Sequence, residues 1–132
     1  MAISMISVKE NIKNVEEFNY LYDAVGWGSY DNDVSKIALD NTLYSVSIYD
    51  DGKIIGYGRI IGDGVCFIYI HDIMVIPSYQ LKGIGTIIMN NLLNKIKEIK
   101  KTNSFVRVYL ELLQEKRNFI KSLDLLLEKK QV

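Results

Sequence analysis

The sequence predicts an α/β (α+β) domain in which a mixed, mainly antiparallel central sheet carries flanking helices. Three observations point there. Leu43–Tyr49, Lys53–Ile61 and Val65–Ile76 are rich in β-branched and aromatic residues and follow one another across short glycine-bearing turns, as the strands of a meander do. After Pro77 the residues Ile84, Ile87, Ile88, Leu92, Ile96 and Ile99 recur at helical spacing. A last strand-like run, Ser104–Leu110, comes only after that helix, so it should lie parallel to the strand before it.

In chain order, Met5–Lys9 reads as a short edge strand. Asn14 is a plausible N-cap for a helix whose apolar face is Phe18, Leu21 and Tyr22. Gly26-Trp27-Gly28-Ser29-Tyr30 reads as a loop, and Asp33 is the expected cap of a second short helix running through Ile37, Ala38 and Leu39. Asp50-Asp51-Gly52 supplies the glycine of a tight hairpin. Val65–Ile76 is nearly continuous Val, Ile, Phe and Tyr, which predicts a central strand buried on both faces. The long helix carries Asn90, Asn91, Asn94, Lys95 and Lys97 mostly opposite its apolar stripe, and Lys100-Lys101-Thr102-Asn103 is the expected exposed turn after it.

With 132 residues, 48% hydrophobic and 24% charged, residues 1–132 fit one compact domain. The lone Cys66 cannot form an intramolecular disulfide, and no N-terminal stretch reads as a secretory signal, which fits a reducing cytoplasm. No apolar run reaches the roughly 18 residues that cross a bilayer, so no membrane partner is expected. The net charge is zero, yet residues 1–76 carry 5 Lys/Arg against 11 Asp/Glu (−6) and residues 77–132 carry 11 against 5 (+6). A basic half suits an anionic cofactor and an acidic half a cationic substrate, while plain solvated charge accounts for it equally; nucleic-acid binding would call for a stronger net basic excess.

The chemistry concentrates between Asp72 and Thr86. There two glycines, Gly83 and Gly85, stand between a strand and the first turn of the strongest helix. A helix start presents unpaired N–H groups and the positive end of its dipole, so a phosphate can be held without a dedicated side chain. The same glycines also suit a plain strand-to-helix turn. A Walker loop and the dinucleotide fingerprint both fail on spacing, since Ile88 stands where the latter needs a third glycine or alanine.

Gln80, Gly83 and Gly85 form a Gln/Arg-x-x-Gly-x-Gly signature, preceded by a strand of the form Asp-Ile-x-Val-x-Pro. In these residues, and in the order of two helices, a meander and a long helix, the chain resembles the GNAT (GCN5-related) N-acetyltransferases. The resemblance implies acetyl-coenzyme A as cosubstrate, an amine of a small molecule or a protein as acceptor, and no metal. It implies that the segment Gln80, Leu81, Lys82, Gly83, Ile84, Gly85 and Thr86 holds the coenzyme, its backbone N–H groups from Lys82 onward binding the diphosphate. Main-chain groups of Ile73, Met74 and Val75 would pair with the acetyl-pantetheine arm. Leu81 departs from the family's usual glycine, which narrows the loop but removes no N–H donor.

Acetyl transfer to an amine needs a group to take the amine proton and another to protonate the leaving thiolate. His71 and Asp72 are the candidate bases next to the implied thioester position. As neighbours on a strand they should point to opposite faces, and a lone histidine is more often structural than catalytic. Trp27 and Tyr30 lie in the loop that borders the family's acceptor site. An aromatic face with Asp23, Asp31 and Asp33 suits a cationic amine there, and a Trp anchoring the loop to the core is the competing reading.

The family usually continues with a helix bearing Tyr-x-x-Phe-Gly-Phe and further strands, the tyrosine serving as proton donor. Here that motif and those C-terminal strands are missing. Instead Gln114–Val132 carries Phe119, Ile120, Leu123, Leu126 and Leu127 at helical spacing. Phe119–Leu125 can be encoded so that the neighbouring frame reads Tyr-Lys-Lys-Phe-Gly-Phe, which points to a frameshift behind this C-terminus. The sequence therefore supports an acetyltransferase, with a truncated, weakly active or inactive coenzyme-binding domain as the alternative and a structural α/β protein as a third reading. The apolar C-terminal stripe predicts a homodimer through the last third of the chain, or self-covering of the Ser104–Leu110 edge.

Overall fold

The computed structural model describes residues 5–110. The stripe from Phe119 to Leu127, the homodimer built on it and the question of strands after Leu110 all lie outside those residues.

Strand β1 (Ile6–Glu10) is followed by helices α1 (Val15–Ala24) and α2 (Asn32–Asp40) and by the meander β2 (Tyr44–Asp50), β3 (Lys53–Gly62) and β4 (Phe67–Val75). A short 3-10 turn, Pro77–Tyr79, leads to helix α3 (Ile84–Thr102) and strand β5 (Arg107–Leu110). The sheet order is β1-β2-β3-β4-β5. All neighbours are antiparallel except β4 and β5, which run parallel because α3 carries the chain back across the sheet.

Local chemistry explains the borders. The Asn14 side chain accepts from the Glu17 N–H at 3.0 Å and caps α1 as expected. In the β2–β3 hairpin Asp51 and Gly52 both take positive φ, 51° and 79°, the pair a two-residue turn requires. Two boundaries move. Helix α2 already includes Asn32, so Asp33 is not its cap; it places negative charge in the first turn, where the helix dipole favours it. Helix α3 continues to Thr102, and the expected Lys100–Asn103 turn is its last turn, with two lysines at the negative end of the dipole.

The sheet is a layer between two cores. On one side Ile84, Ile88, Met89, Leu92, Leu93 and Ile96 of α3 pack on Val46, Ile48, Ile60, Ile68 and Ile70. Helix α3 sits close because β3 carries Gly56 and Gly58 beneath it: a Cβ on Gly58 would lie 2.6 Å from the Ile88 side chain. On the other side Phe18, Leu21 and Tyr22 of α1 and Leu39 of α2 pack on Tyr57 and Met74. The strand buried at every position is β2, not β4. In β4 burial alternates at first, Ile68 and Ile70 lying under α3 while Phe67 is 40% exposed, because α1 reaches only the far end of the strand at Met74. No helix among the described residues is long and apolar enough to cross a membrane.

Several tyrosines are held neutral by this packing. Burial, then a hydrogen bond to the Glu17 carboxylate, pushes Tyr49 up to about 12, and burial pushes Tyr57 up to about 12. Tyr22 and Tyr44 are raised as well, by burial first and by hydrogen bonds to Asp72 and Glu10 second. Because the folded-state pKa lies above the free value of 10.0, this stabilisation is fully present below that pH and is lost as pH rises towards about 12. An alkaline titration should therefore show the tyrosinate absorbance of the buried tyrosines appearing only together with loss of circular dichroism, in one cooperative step. Ionisation of all nine tyrosines with the circular dichroism intact would contradict it.

Candidate functional site

The end of β4 and the start of α3 form one continuous device. The N–H of Ile76 bonds to the Ile55 carbonyl of β3 at 3.0 Å, and Met74 lies opposite Tyr57 in the same register. Main-chain groups alternate sides along a strand, so Ile73 and Val75 turn theirs to the other edge. There the Gln80 side chain donates to the Val75 carbonyl at 3.0 Å, which folds the chain back after Pro77. Of the three residues expected to present main-chain groups to a ligand, Met74 is directed at β3 instead.

Gly83 caps α3 in the left-handed conformation, φ 85°, with no side chain bonding the helix start. The first helical bond runs from the Ile87 N–H to the Gly83 carbonyl at 3.2 Å. The amides of Ile84, Gly85 and Thr86 have no acceptor within the helix and point out of its end. Lys82 is exposed, with its ammonium 5.5 Å over the Tyr79 ring. The Tyr79 hydroxyl donates to the Asp50 carboxylate, a bond that raises its pKa. Leu81 is fully exposed at φ 62°, so its side chain does not narrow the turn.

One residue earlier in β4 the sheet is irregular. Arg59 pairs with His71 and Tyr57 with Met74, so Gly58 alone faces Asp72 and Ile73. This is a β-bulge, and Asp72 sits in it at φ 55°. The extra residue reverses the alternation: Ile68 and Ile70 pack towards α3 before it, and Ile73 and Val75 after it. The expectation that His71 and Asp72 point to opposite faces fails for this reason. His71, the register partner of Arg59, and Asp72, bonded to Arg59, both belong to the face of α1 and α2.

Asp72 is engaged there. Its Oδ2 accepts from the Arg59 Nε at 2.6 Å and its Oδ1 from the Tyr22 hydroxyl, and the Asp72 and Arg59 side chains are only 9% and 13% exposed. Arg59 further donates from Nη1 to the Ala38 carbonyl and to the Thr42 hydroxyl, each at 3.0 Å, and lies 5.6 Å over the Phe18 ring. Sequence reasoning missed Arg59 and Tyr22. The signal for Arg59 was a single charged residue within the otherwise apolar Ile54–Ile61 run; Tyr22 gave none, since it read as helix core.

The loop after α1 packs on the same tyrosine. Trp27 and Tyr30 meet the Tyr22 ring edge-on at 5.6 and 5.3 Å, and the Trp27 N–H bonds to the Tyr22 carbonyl at 2.9 Å. The Asp23 carboxylate accepts from the Ser29 N–H and hydroxyl at 2.9 and 3.1 Å, so it serves the loop. Asp31 and Asp33 remain at the rim of a shallow open depression with Asn19, Ser29, Tyr30 and Asn32.

A sheet that bulges in its fourth strand and hands the chain to a glycine-capped helix agrees with what comparison of the sequence finds. The pattern of the acetyltransferase (GNAT) family matches residues 10–121. The chain belongs to this family. It is 28% identical over 125 residues to ycf52, an uncharacterised N-acetyltransferase of Pyropia yezoensis, covering 90% of this chain and 71% of that protein. A crystal structure from methicillin-resistant Staphylococcus aureus, of a protein of unknown function described as a probable acetyltransferase, is 29% identical. It has a TM-score of 0.83 and covers 91% of this chain and 89% of that one. An aminoglycoside N-acetyltransferase in complex with CoA shares the fold at TM-score 0.68 and 16% identity, covering 93% of this chain and 87% of that one.

The left-handed Leu81 yields a prediction. A non-glycine residue in that conformation costs about 1 kcal/mol, partly offset by the entropy glycine adds to the unfolded chain. Leu81→Gly should therefore leave stability unchanged or raise it by up to about 1 kcal/mol, as read from chemical denaturation. A clear loss would mean that the leucine makes contacts its exposure denies.

Proposed function

We propose that this GNAT-family chain transfers acetyl from acetyl-coenzyme A to an amine of a small molecule or a protein. The observation that carries the reading is the cluster of open amides at Ile84, Gly85 and Thr86 behind the left-handed Gly83. An anionic diphosphate fits there, with Lys82 able to add a positive charge and no acidic residue in the first turn. The edge groups of Ile73 and Val75 suit the amides of the pantetheine arm, and Gln80 keeps that edge and the turn together. The CoA complex of the aminoglycoside acetyltransferase with the same fold supports this choice of cosubstrate.

In the reaction the amine nitrogen attacks the thioester carbonyl carbon, the C–N bond forms, the C–S bond breaks, and the proton lost by the amine is balanced by one gained at the thiolate. His71 and Asp72 are the two candidate bases of this reading; the Asp72 carboxylate accepts from Arg59 and Tyr22, and the His71 ring lies 6.1 Å from that of Tyr69. Trp27 and Tyr30 are the acceptor-side wall in this reading, with Asp31 and Asp33 rather than Asp23 available to a cationic amine. A reducing compartment such as the cytoplasm suits the exposed Cys66 thiol. A second copy of the chain is the partner this reading gives to the apolar stripe from Phe119 to Leu127, with self-covering of the sheet edge as the alternative, and a stable monomer in light scattering at high protein concentration rules the dimer out.

A second reading, coenzyme binding without efficient turnover, is favoured by the missing Tyr-x-x-Phe-Gly-Phe motif, since a positioned proton donor typically contributes about 10²–10⁴ in rate. Calorimetric titration with acetyl-coenzyme A should give at least about tenfold weaker binding to Gly85→Val, whose branched side chain occupies the approach of a phosphate. Equal affinities would overturn the site. Thiol release from acetyl-coenzyme A across a panel of primary amines then separates the readings: turnover supports the transferase, and binding without release the second.

A further inference from the structure

Tyr22 has two sets of partners that no other described side chain combines. Its ring carries Trp27 and Tyr30, the two aromatic residues of the loop after α1. Its hydroxyl reaches across to Asp72 in the β4 bulge, 50 positions along the chain. Asp72 is itself locked by Arg59, and Arg59 by the Ala38 carbonyl and Thr42 at the end of α2. The loop is thus tied through one phenol to the strand segment beside which the transfer is proposed to occur.

We propose that Tyr22 is a positioning residue for the acceptor: through its bond to Asp72 it sets the distance between the Trp27–Tyr30 loop and the β4 bulge. The inference rests on the acetyltransferase reading and adds to it a residue that neither binds the coenzyme nor takes a proton. The physical reason is economy of anchoring. The bonds from Ser29 to Asp23 and from Trp27 to the Tyr22 carbonyl tie the loop to the end of α1, but they do not set the place of that helix end over the sheet. Ring contacts tolerate sliding, whereas a hydrogen bond to a buried carboxylate is directional and held to a few tenths of an ångström. Removing the hydroxyl keeps the edge-on ring contacts and frees the end of α1, with the loop tied to it, to shift against the bulge. Acceptor geometry then suffers while the helix start at Gly83 and the edge of Val75 stay as they are.

Trp27 is the chain's one tryptophan, so its fluorescence reports on this loop alone. The test compares wild type with Tyr22→Phe in three measurements: Trp27 anisotropy, calorimetric affinity for coenzyme A, and KM for both substrates with whichever amine of the panel turns over fastest. Anisotropy is expected to fall, coenzyme A affinity to stay unchanged, and the amine KM to rise about tenfold while the acetyl-coenzyme A KM does not move. Tyr49→Phe, which removes another phenol bonded to a carboxylate, that of Glu17, is the control for general loosening and should leave Trp27 anisotropy as in wild type. All variants are measured at one temperature below the lowest of their melting points, so that a loss of stability in Tyr22→Phe does not enter the comparison. Wild-type anisotropy in Tyr22→Phe, or the same fall in Tyr49→Phe, overturns the proposal. A failure of coenzyme A to bind wild type would instead strike the functional reading, and Trp27 would still decide this one.

Discussion

The buried Arg59–Asp72 pair is the constraint on which the arrangement of this face depends. A carboxylate at 9% exposure and a guanidinium at 13% are tolerable only with each other and with further hydrogen bonds. The pair draws its remaining partners from three separate elements: the Tyr22 hydroxyl from α1, the Ala38 carbonyl from α2 and Thr42 from the turn before β2. Two helices are thereby referenced to one point on the sheet. Apolar contacts of Phe18, Leu21 and Leu39 supply the larger share of the burial, but they are not directional and do not by themselves select that point.

The bulge makes this pairing possible. In a regular strand Asp72 would face α3 and the wholly apolar core of Ile60, Ile68, Ile70, Ile88 and Leu92, where a carboxylate has no partner. One extra residue in β4 moves it to the side of Arg59, and the residues after it resume the opposite alternation, so that Ile73 and Val75 rejoin the α3 core. The same irregularity lies next to the stretch whose main-chain groups face the outer edge. Among the described residues β5 pairs with β4 from Phe67 to Ile70 and not beyond.

Helix α3 completes the site from the other face. Gly56 and Gly58 let it settle close to β3, so its N-terminus emerges level with the end of β4 and with the turn that Gln80 and the Asp50–Tyr79 bond hold in place. The helix start is consequently anchored at the buried Ile84, although the residues just before it, Leu81 and Lys82, are exposed. Glycine at position 83 answers to the backbone dihedral rather than to crowding, since nothing lies within 4 Å of where its Cβ would be.

The sequence by itself determined the order and type of the described elements, the antiparallel meander with its parallel last strand, and the glycine-bearing start of α3. Each of these rests on short-range signals: hydrophobic period, turn residues, caps, and the rule that a helical crossover makes neighbours parallel. Only the tertiary structure decided that β2 rather than β4 is the doubly buried strand, because that depends on how far α1 reaches over the sheet. Only it decided the face of Asp72 as well. A bulge inserts one residue without disturbing an apolar run, so Ile70–Ile76 reads the same with or without it. The partners that hold Asp72 stand 13 and 50 positions away, beyond any periodicity.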